Sequence, residues 1–356
     1  MTWKCNTLAA AILALTALYQ PLAEAMVKGA DVSWLTQMEK SGYKFYNDSG
    51  SQQDLFPILK AHGMNAIRLR VWVNPANGWN NITDVVAKAK RAKAAGFDIL
   101  IDFHYSDTWA DPASQTKPAA WSSYTFDQLM SNVYWHTYNS LTTLKNAGIT
   151  PKWVQVGNEV SHGMLWPLGF LPGNWPALAA LLRAGVAAVR EAAPAAQVVL
   201  HLDAGCDQIL YRHWFDQAQA LDVQWDCIGL SFYPCWHGSL PHLAENLQLL
   251  AERYHCPLLV VETAYPRQLH RQRNGQWLLQ HTGAEPYPAT PEGQAEFLRA
   301  LAAVLRAAPK GLGQGVFYWE PALLPLPDGS RGVWQNATLL ADDGEVLPSL
   351  TALGQL

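Results

Sequence analysis

The chain has 356 residues, 49% hydrophobic and 15% charged, enough to bury the core of one α/β barrel or of two average domains. Its formal net charge is −4 with no basic run, which excludes nucleic acid as an expected partner. The 16 Trp residues serve core packing in part, but they are also the side chains best suited to stacking on sugar rings.

Taken in order, residues 1–25 read as a signal peptide, with Lys4 in the n-region, an apolar stretch over 8–18 and the cleavage site Ala23-Glu24-Ala25. The mature chain is expected to begin near Met26 and to be secreted, outside the cell or into a periplasm. The apolar run is too short for a membrane span, so no membrane partner is expected. Short apolar strands are then predicted at 29–34, 66–72, 98–105, 153–160, 197–204, 227–234, 258–265 and 315–322. Helical stretches fall between them: 81–95 stops at Gly96, and Thr125 with Gln128 forms a capping box for a helix running to Asn146. Leu178, Leu181, Leu182, Val186 and Val189 make one apolar stripe, and Leu243, Leu247, Leu250 and Tyr254 another. Eight strands alternating with helices predict an α/β fold, a single (β/α)8 TIM barrel over 26–356. An open doubly wound sheet is the alternative; it would have fewer strands, and no GxGxxG turn is present.

Alternation within the strands predicts a polar interior. Ile67, Leu69 and Val71 would face the helices, leaving Arg68, Arg70 and Trp72 inward. The same parity turns Gln155, Gly157, Glu159, His201, Asp203, Ser231, Tyr233 and Glu262 inward. Polar groups gathered near the C-terminal strand ends are what a barrel enzyme requires, whereas a purely structural barrel would bear their desolvation without use.

Three carboxylates end strands in this ring: Glu159, Glu262 and Glu320. Glycoside hydrolysis needs two, an acid/base and a nucleophile. Glu159 follows Asn158 on the fourth strand and Glu262 ends the seventh; their separation, 262 − 159 = 103 residues, equals three βα units of ordinary length. Glu320, in Tyr318-Trp319-Glu320-Pro321, is expected to be structural or to contact substrate.

Several segments together resemble the endo-β-1,4-galactanases of glycoside hydrolase family 53, in clan A. They are Gly29-Ala30-Asp31-Val32-Ser33, Arg68-Leu69-Arg70-Val71-Trp72-Val73-Asn74-Pro75, and the most specific, Asp102-Phe103-His104-Tyr105-Ser106-Asp107-Thr108-Trp109-Ala110-Asp111-Pro112. Gly157-Asn158-Glu159, Met164-Leu165-Trp166-Pro167, His201-Leu202-Asp203, Ser231-Phe232-Tyr233-Pro234, Val261-Glu262-Thr263 and Tyr318-Trp319-Glu320-Pro321-Ala322 continue the likeness along the mature chain. The resemblance implies retaining endo-hydrolysis of β-1,4-galactan by double displacement, with Glu159 as acid/base and Glu262 as nucleophile. It implies that Asn158 binds the sugar 2-hydroxyl, that Tyr233 holds the nucleophile and that Arg68 keeps it ionised, although Arg70 shares that parity. Trp72, Trp109, Trp166 and Trp319 become candidate stacking platforms, with His104 and Asp102 on the floor.

The partner is then a polysaccharide, acted on by a monomer without cofactor or metal. The 323–332 segment carries one acidic residue, Asp328, too few oxygen ligands for the calcium loop of bacterial relatives. The 264–288 segment, with Arg267, His270, Arg271 and Arg273, aligns with nothing in the family and should border the cleft. Of five cysteines, Cys5 falls in the leader; strand positions predict the bridges Cys206–Cys235 and Cys227–Cys256. The competing readings are a clan relative cutting β-mannan or β-glucan, and a catalytically silent sugar-binding barrel.

Overall fold

The computed structural model describes residues 25–269, 277–323 and 332–356. Eight parallel strands close into a barrel: β1 (Val27–Asp31), β2 (Ala66–Val71), β3 (Asp98–Phe103), β4 (Trp153–Val156), β5 (Gln197–Leu202), β6 (Cys227–Ser231), β7 (Leu258–Thr263) and β8 (Gly313–Trp319). Each pairs with the next in sequence, and β8 pairs with β1. A helix follows every strand: α1 (Leu55–Ala61), α2 (Ile82–Ala94), α3 (Phe126–Asn146), α4 (Trp175–Ala192), α5 (Gln208–Ala220), α6 (Leu240–Tyr254), α7 (Pro291–Ala307) and α8 (Pro348–Gly354). The expected barrel is therefore present. Every strand ends one to four residues before its predicted end, because the last residues leave the ladder to build the site.

The core has two parts, as strand alternation requires. Between strands and helices lies a large apolar layer that includes Ile67, Leu69, Val154, Leu200, Leu230 and Val260 with the helix stripes. Inside the barrel, Val27, Ala66, Leu100, Trp153, Val199, Cys227, Leu259, Val261 and Phe317 form a separate plug. That plug fills the N-terminal end of the barrel, so the polar residues above it rest on a dry floor. The capping box of α3 is formed as expected: Thr125 Oγ1 accepts from Gln128 N, and Gln128 Oε1 accepts from Thr125 N at 2.9 Å.

The predicted disulfides are not present; all four described cysteines are free. Cys227 belongs to the plug inside the barrel, whereas Cys256 packs against the outer layer. Cys206 Sγ turns to the Ser239 carbonyl at 3.5 Å, just past the one-turn helix Pro234–His237 that carries Cys235. Burial raises the Cys206 and Cys235 thiols to about 12 and Cys256 to about 11, so they stay protonated. The leader (1–24), His270, Arg271, Arg273 and Asp328 lie outside the described residues.

Candidate active site

The two carboxylates reach the cleft by different local devices. β4 ends at Val156, and a turn carries Glu159 into the barrel mouth with φ +47 and ψ +51. Gly157 in that turn has φ +84, and a Cβ there would lie 2.6 Å from Val160 Cγ1, so the position accepts only glycine without rearrangement. Buried Gln115 holds the turn from the β3 side, donating to the Asn158 carbonyl at 2.8 Å and to that of Glu159 at 3.3 Å. Glu262 depends on a β-bulge. Leu259 and Val261 point into the plug, so strict alternation would turn Glu262 outward. Leu230 pairs with Val260 but Ser231 with Glu262, leaving Val261 as one extra residue on β7 that turns Glu262 back inward.

Beneath them lies a buried polar network centred on Arg68, which is 0% exposed. Its guanidinium contacts Asp31 Oδ2 at 2.8 Å, Asp102 Oδ2 at 2.9 Å and Glu262 Oε1 at 2.9 Å, and donates to Asn158 Oδ1 at 2.8 Å. Arg70 instead pairs with Glu320 at 3.2 Å and lies among the rings of Trp109, Trp72, Trp34 and Trp319, at 4.3, 5.0, 5.1 and 5.8 Å. Arg68 and not Arg70 therefore contacts Glu262, and Glu320, 2% exposed, is held by Arg70.

Glu159 and Glu262 sit in opposite electrostatic settings. The nearest ligand atoms of Glu159, His201 and Glu262 all lie within 4.8 Å of one another, a gap that suits direct attack by one carboxylate and is well below the ~6.5–9.5 Å of inverting enzymes. Burial, then the charge of Glu262, holds Glu159 well above the usual carboxylate range. Burial also lifts Glu262, to about 7, but the Arg68 charge and the Tyr233 hydroxyl, donating at 3.0 Å, pull it back. One proton between the two therefore resides on Glu159.

The donor chain below Glu159 agrees. His201 Nδ1 accepts from the Gln155 amide at 2.9 Å, which assigns the other ring proton to Nε2, donating to Ser231 Oγ at 2.9 Å. Ser231 in turn donates to Glu159 Oε1 at 2.6 Å. Burial, then Arg68, depresses His201, keeping it neutral. With both its nitrogens and Glu262 so engaged, this trio is already satisfied by protein partners.

The cleft above has a volume of about 550 Å³. Of the predicted residues, His104, Trp109, Asn158, Glu159, Tyr233, Glu262 and Trp319 line it. His104 is satisfied on both nitrogens, donating to Asp102 at 2.9 Å while Nδ1 accepts from Ala110 N at 3.1 Å. Trp72 is 8% exposed and lies under Trp109, with its indole N–H on His104 Nδ1 at 3.3 Å. Trp166 sits on the hairpin after β4, edge-on to Phe170 at 4.9 Å, outside the cleft wall. Asp203, which alternation also turned inward, lines the cleft too, and the structure adds Trp34, Trp236, His237, Leu278, Val333 and Trp334 to that wall. Trp34 and Trp236 follow the ends of β1 and β6, and the strand-end rule that singled out the carboxylates would have found them. Leu278 comes from the 264–288 segment, which does border the cleft.

The whole arrangement has known counterparts. The family model for glycosyl hydrolase family 53 matches residues 27–353. An uncharacterized protein of Niallia circulans is 42% identical over 343 residues, covering 93% of this chain and 94% of its own. An arabinogalactan endo-beta-1,4-galactanase of Thermothelomyces thermophilus is 36% identical over 337 residues, covering 92% and 99%. Among solved structures, the family 53 catalytic domain of Ignisphaera aggregans superposes with a TM-score of 0.87 at 35% identity, covering 94% and 97%. With a barrel, a carboxylate pair and a family match that runs from β1 to the last helix, this chain belongs to glycosyl hydrolase family 53.

Proposed function

We propose that the protein is a secreted, monomeric arabinogalactan endo-β-1,4-galactanase that cleaves galactan with retention of configuration. The observation that carries this reading is the close Glu159–Glu262 pair, in which one carboxyl keeps a proton and the other faces Arg68. Glu159 donates its proton to the glycosidic oxygen as Glu262 attacks the anomeric carbon, giving a covalent galactosyl-enzyme. Glu159, now ionised, takes a proton from water, and the resulting hydroxide equivalent releases the sugar with its original configuration. Asn158 gives one amide N–H to the Ala110 carbonyl at 2.8 Å, leaving the second for the sugar 2-hydroxyl. Trp109 and Trp319 offer rings to the sugar faces. Residues 1–25 serve as the export leader; among the described residues no helix is long and apolar enough to cross a membrane.

Reducing-sugar release from galactan, β-mannan and cellulose, measured side by side, tests the reading. Release from galactan is expected. Activity on mannan or cellulose with none on galactan would overturn the substrate assignment and leave the carboxylate chemistry intact.

A further inference from the structure

The solvent face of α3 has a composition that the cleft does not explain. Over its 21 residues the only charged side chains are Asp127 in the first turn and Lys145 in the last. A surface helix ordinarily carries charge along its outer face. Here the middle of the helix presents Tyr134, Trp135 and Tyr138, flanked by the uncharged polar Ser131, Asn132 and Asn139. Trp135 is 52% exposed. The rings are ordered: Tyr134 and Tyr138 lie nearly parallel, 10° apart with centroids at 6.0 Å, and Trp135 stands edge-on to both at 5.0 and 5.6 Å. Tyr134 Oη donates to Glu191 of α4 at 2.5 Å, fixing one end of the cluster. None of these residues lines the cleft.

We propose that Tyr134, Trp135 and Tyr138 form a second carbohydrate-binding site that holds a β-1,4-galactan chain on the outside of the barrel; the proposal rests on the galactanase reading. A galactosyl ring offers an apolar C–H face and neutral hydroxyls. The α3 surface offers the complement: aromatic rings, side-chain amides and hydroxyls, and the Glu191 carboxylate as acceptor. A charged partner would find almost nothing to pair with. A second copy of the chain is the other occupant to weigh. A stable dimer buries about 800 Å² on each partner, and three rings that fully bury only about 150–250 Å² apiece fall short of it when they are half-covered already. For a polymer-degrading enzyme, a second hold on the same chain raises the effective concentration of substrate at the cleft.

The test compares the parent with Trp135→Ala on polymeric galactan and on β-1,4-galactotetraose. It adds native gels cast with galactan, run in a Glu262→Gln background so that the polymer survives. The expected result is unchanged tetraose turnover, which shows an intact fold, with several-fold weaker gel retardation and several-fold slower polymer hydrolysis at low galactan concentration. Equal retardation and equal polymer hydrolysis would overturn the proposal. A parent that is dimeric by light scattering, and monomeric with Trp135→Ala, would overturn it in favour of a protein contact. Loss of tetraose turnover in the variant would make Trp135 a structural residue and also overturn it. If the parent itself fails to cut tetraose and galactan, the galactanase reading has failed, an outcome that the parent alone reveals.

Discussion

At the scale of single residues, the proposed mechanism rests on giving two buried glutamates different protonation states. Removing them should therefore fail differently. Glu262→Ala lacks the nucleophile and is expected to be inactive on every substrate. Glu159→Ala should still be glycosylated by aryl galactosides whose leaving groups need no proton, and azide should rescue its second step as a β-galactosyl azide. An α-azide from the Glu159 variant, or rescue in the Glu262 variant, would exchange the roles. Tyr233 tunes the same pair. Its hydrogen bond favours the ionised form of Glu262, so Tyr233→Phe should move the acid limb of kcat/KM to higher pH, by about one unit for a charge-assisted bond worth ~1.4 kcal/mol. A stability effect follows with a fixed sign. Glu159 keeps its proton in the folded state well above its ordinary 4.5, while the unfolded chain releases it there. Folding thus binds an extra proton, and stability contributed by this group is lost as pH rises from about 4.5 toward the folded value. Glu159→Gln should melt higher than the parent at pH 8 and lose that advantage near pH 4; equal gains at both pH values would contradict the assignment.

Elements differ in how far their sequence speaks for itself. The start of α3 was legible to the residue, because a capping box uses side chains three apart and needs no tertiary partner. Thr125→Ala should cost about 1 kcal/mol, read as a lower melting temperature with kcat/KM on galactotetraose unchanged. β7 is the contrasting case. The expectation that Glu262 faces inward was correct, but alternation does not bring it there, since Val261 already faces in and a bulge supplies the second inward residue. A bulge forms where two neighbours pair with one strand out of step, and no pattern within residues 258–263 records that. The strand ends were overextended for a related reason: the expected fourth strand was run on to Val160 to carry Glu159, yet φ values of +84 at Gly157 and +47 at Glu159 take 157–160 out of the ladder.

For the molecule as a whole, the loops after β7 and β8 join into one wall. Buried Asn336 donates to the Leu279 carbonyl at 2.8 Å and to that of Gln268 at 3.2 Å, and Arg267 reaches Asp342 at 2.5 Å. Asn336→Ala should therefore cost about 1–3 kcal/mol through unpaired buried carbonyls and raise KM more than it lowers kcat. A variant with native stability and KM would show the two loops to be independent. The barrel, the inward placing of Glu159 and Glu262 and the likeness to the family were legible from the sequence. All three rest on local periodicity, on residue types at strand ends and on short contiguous segments. The three-dimensional arrangement was needed to show that Arg68 and not Arg70 contacts Glu262, that Trp72 is buried while Trp34, Trp236 and Trp334 line the cleft, and that Cys227 faces the plug inside the barrel. Each of these depends on distances between side chains of different strands and loops. Those distances are set by barrel closure and by the bulge in β7, which no single stretch of the chain encodes.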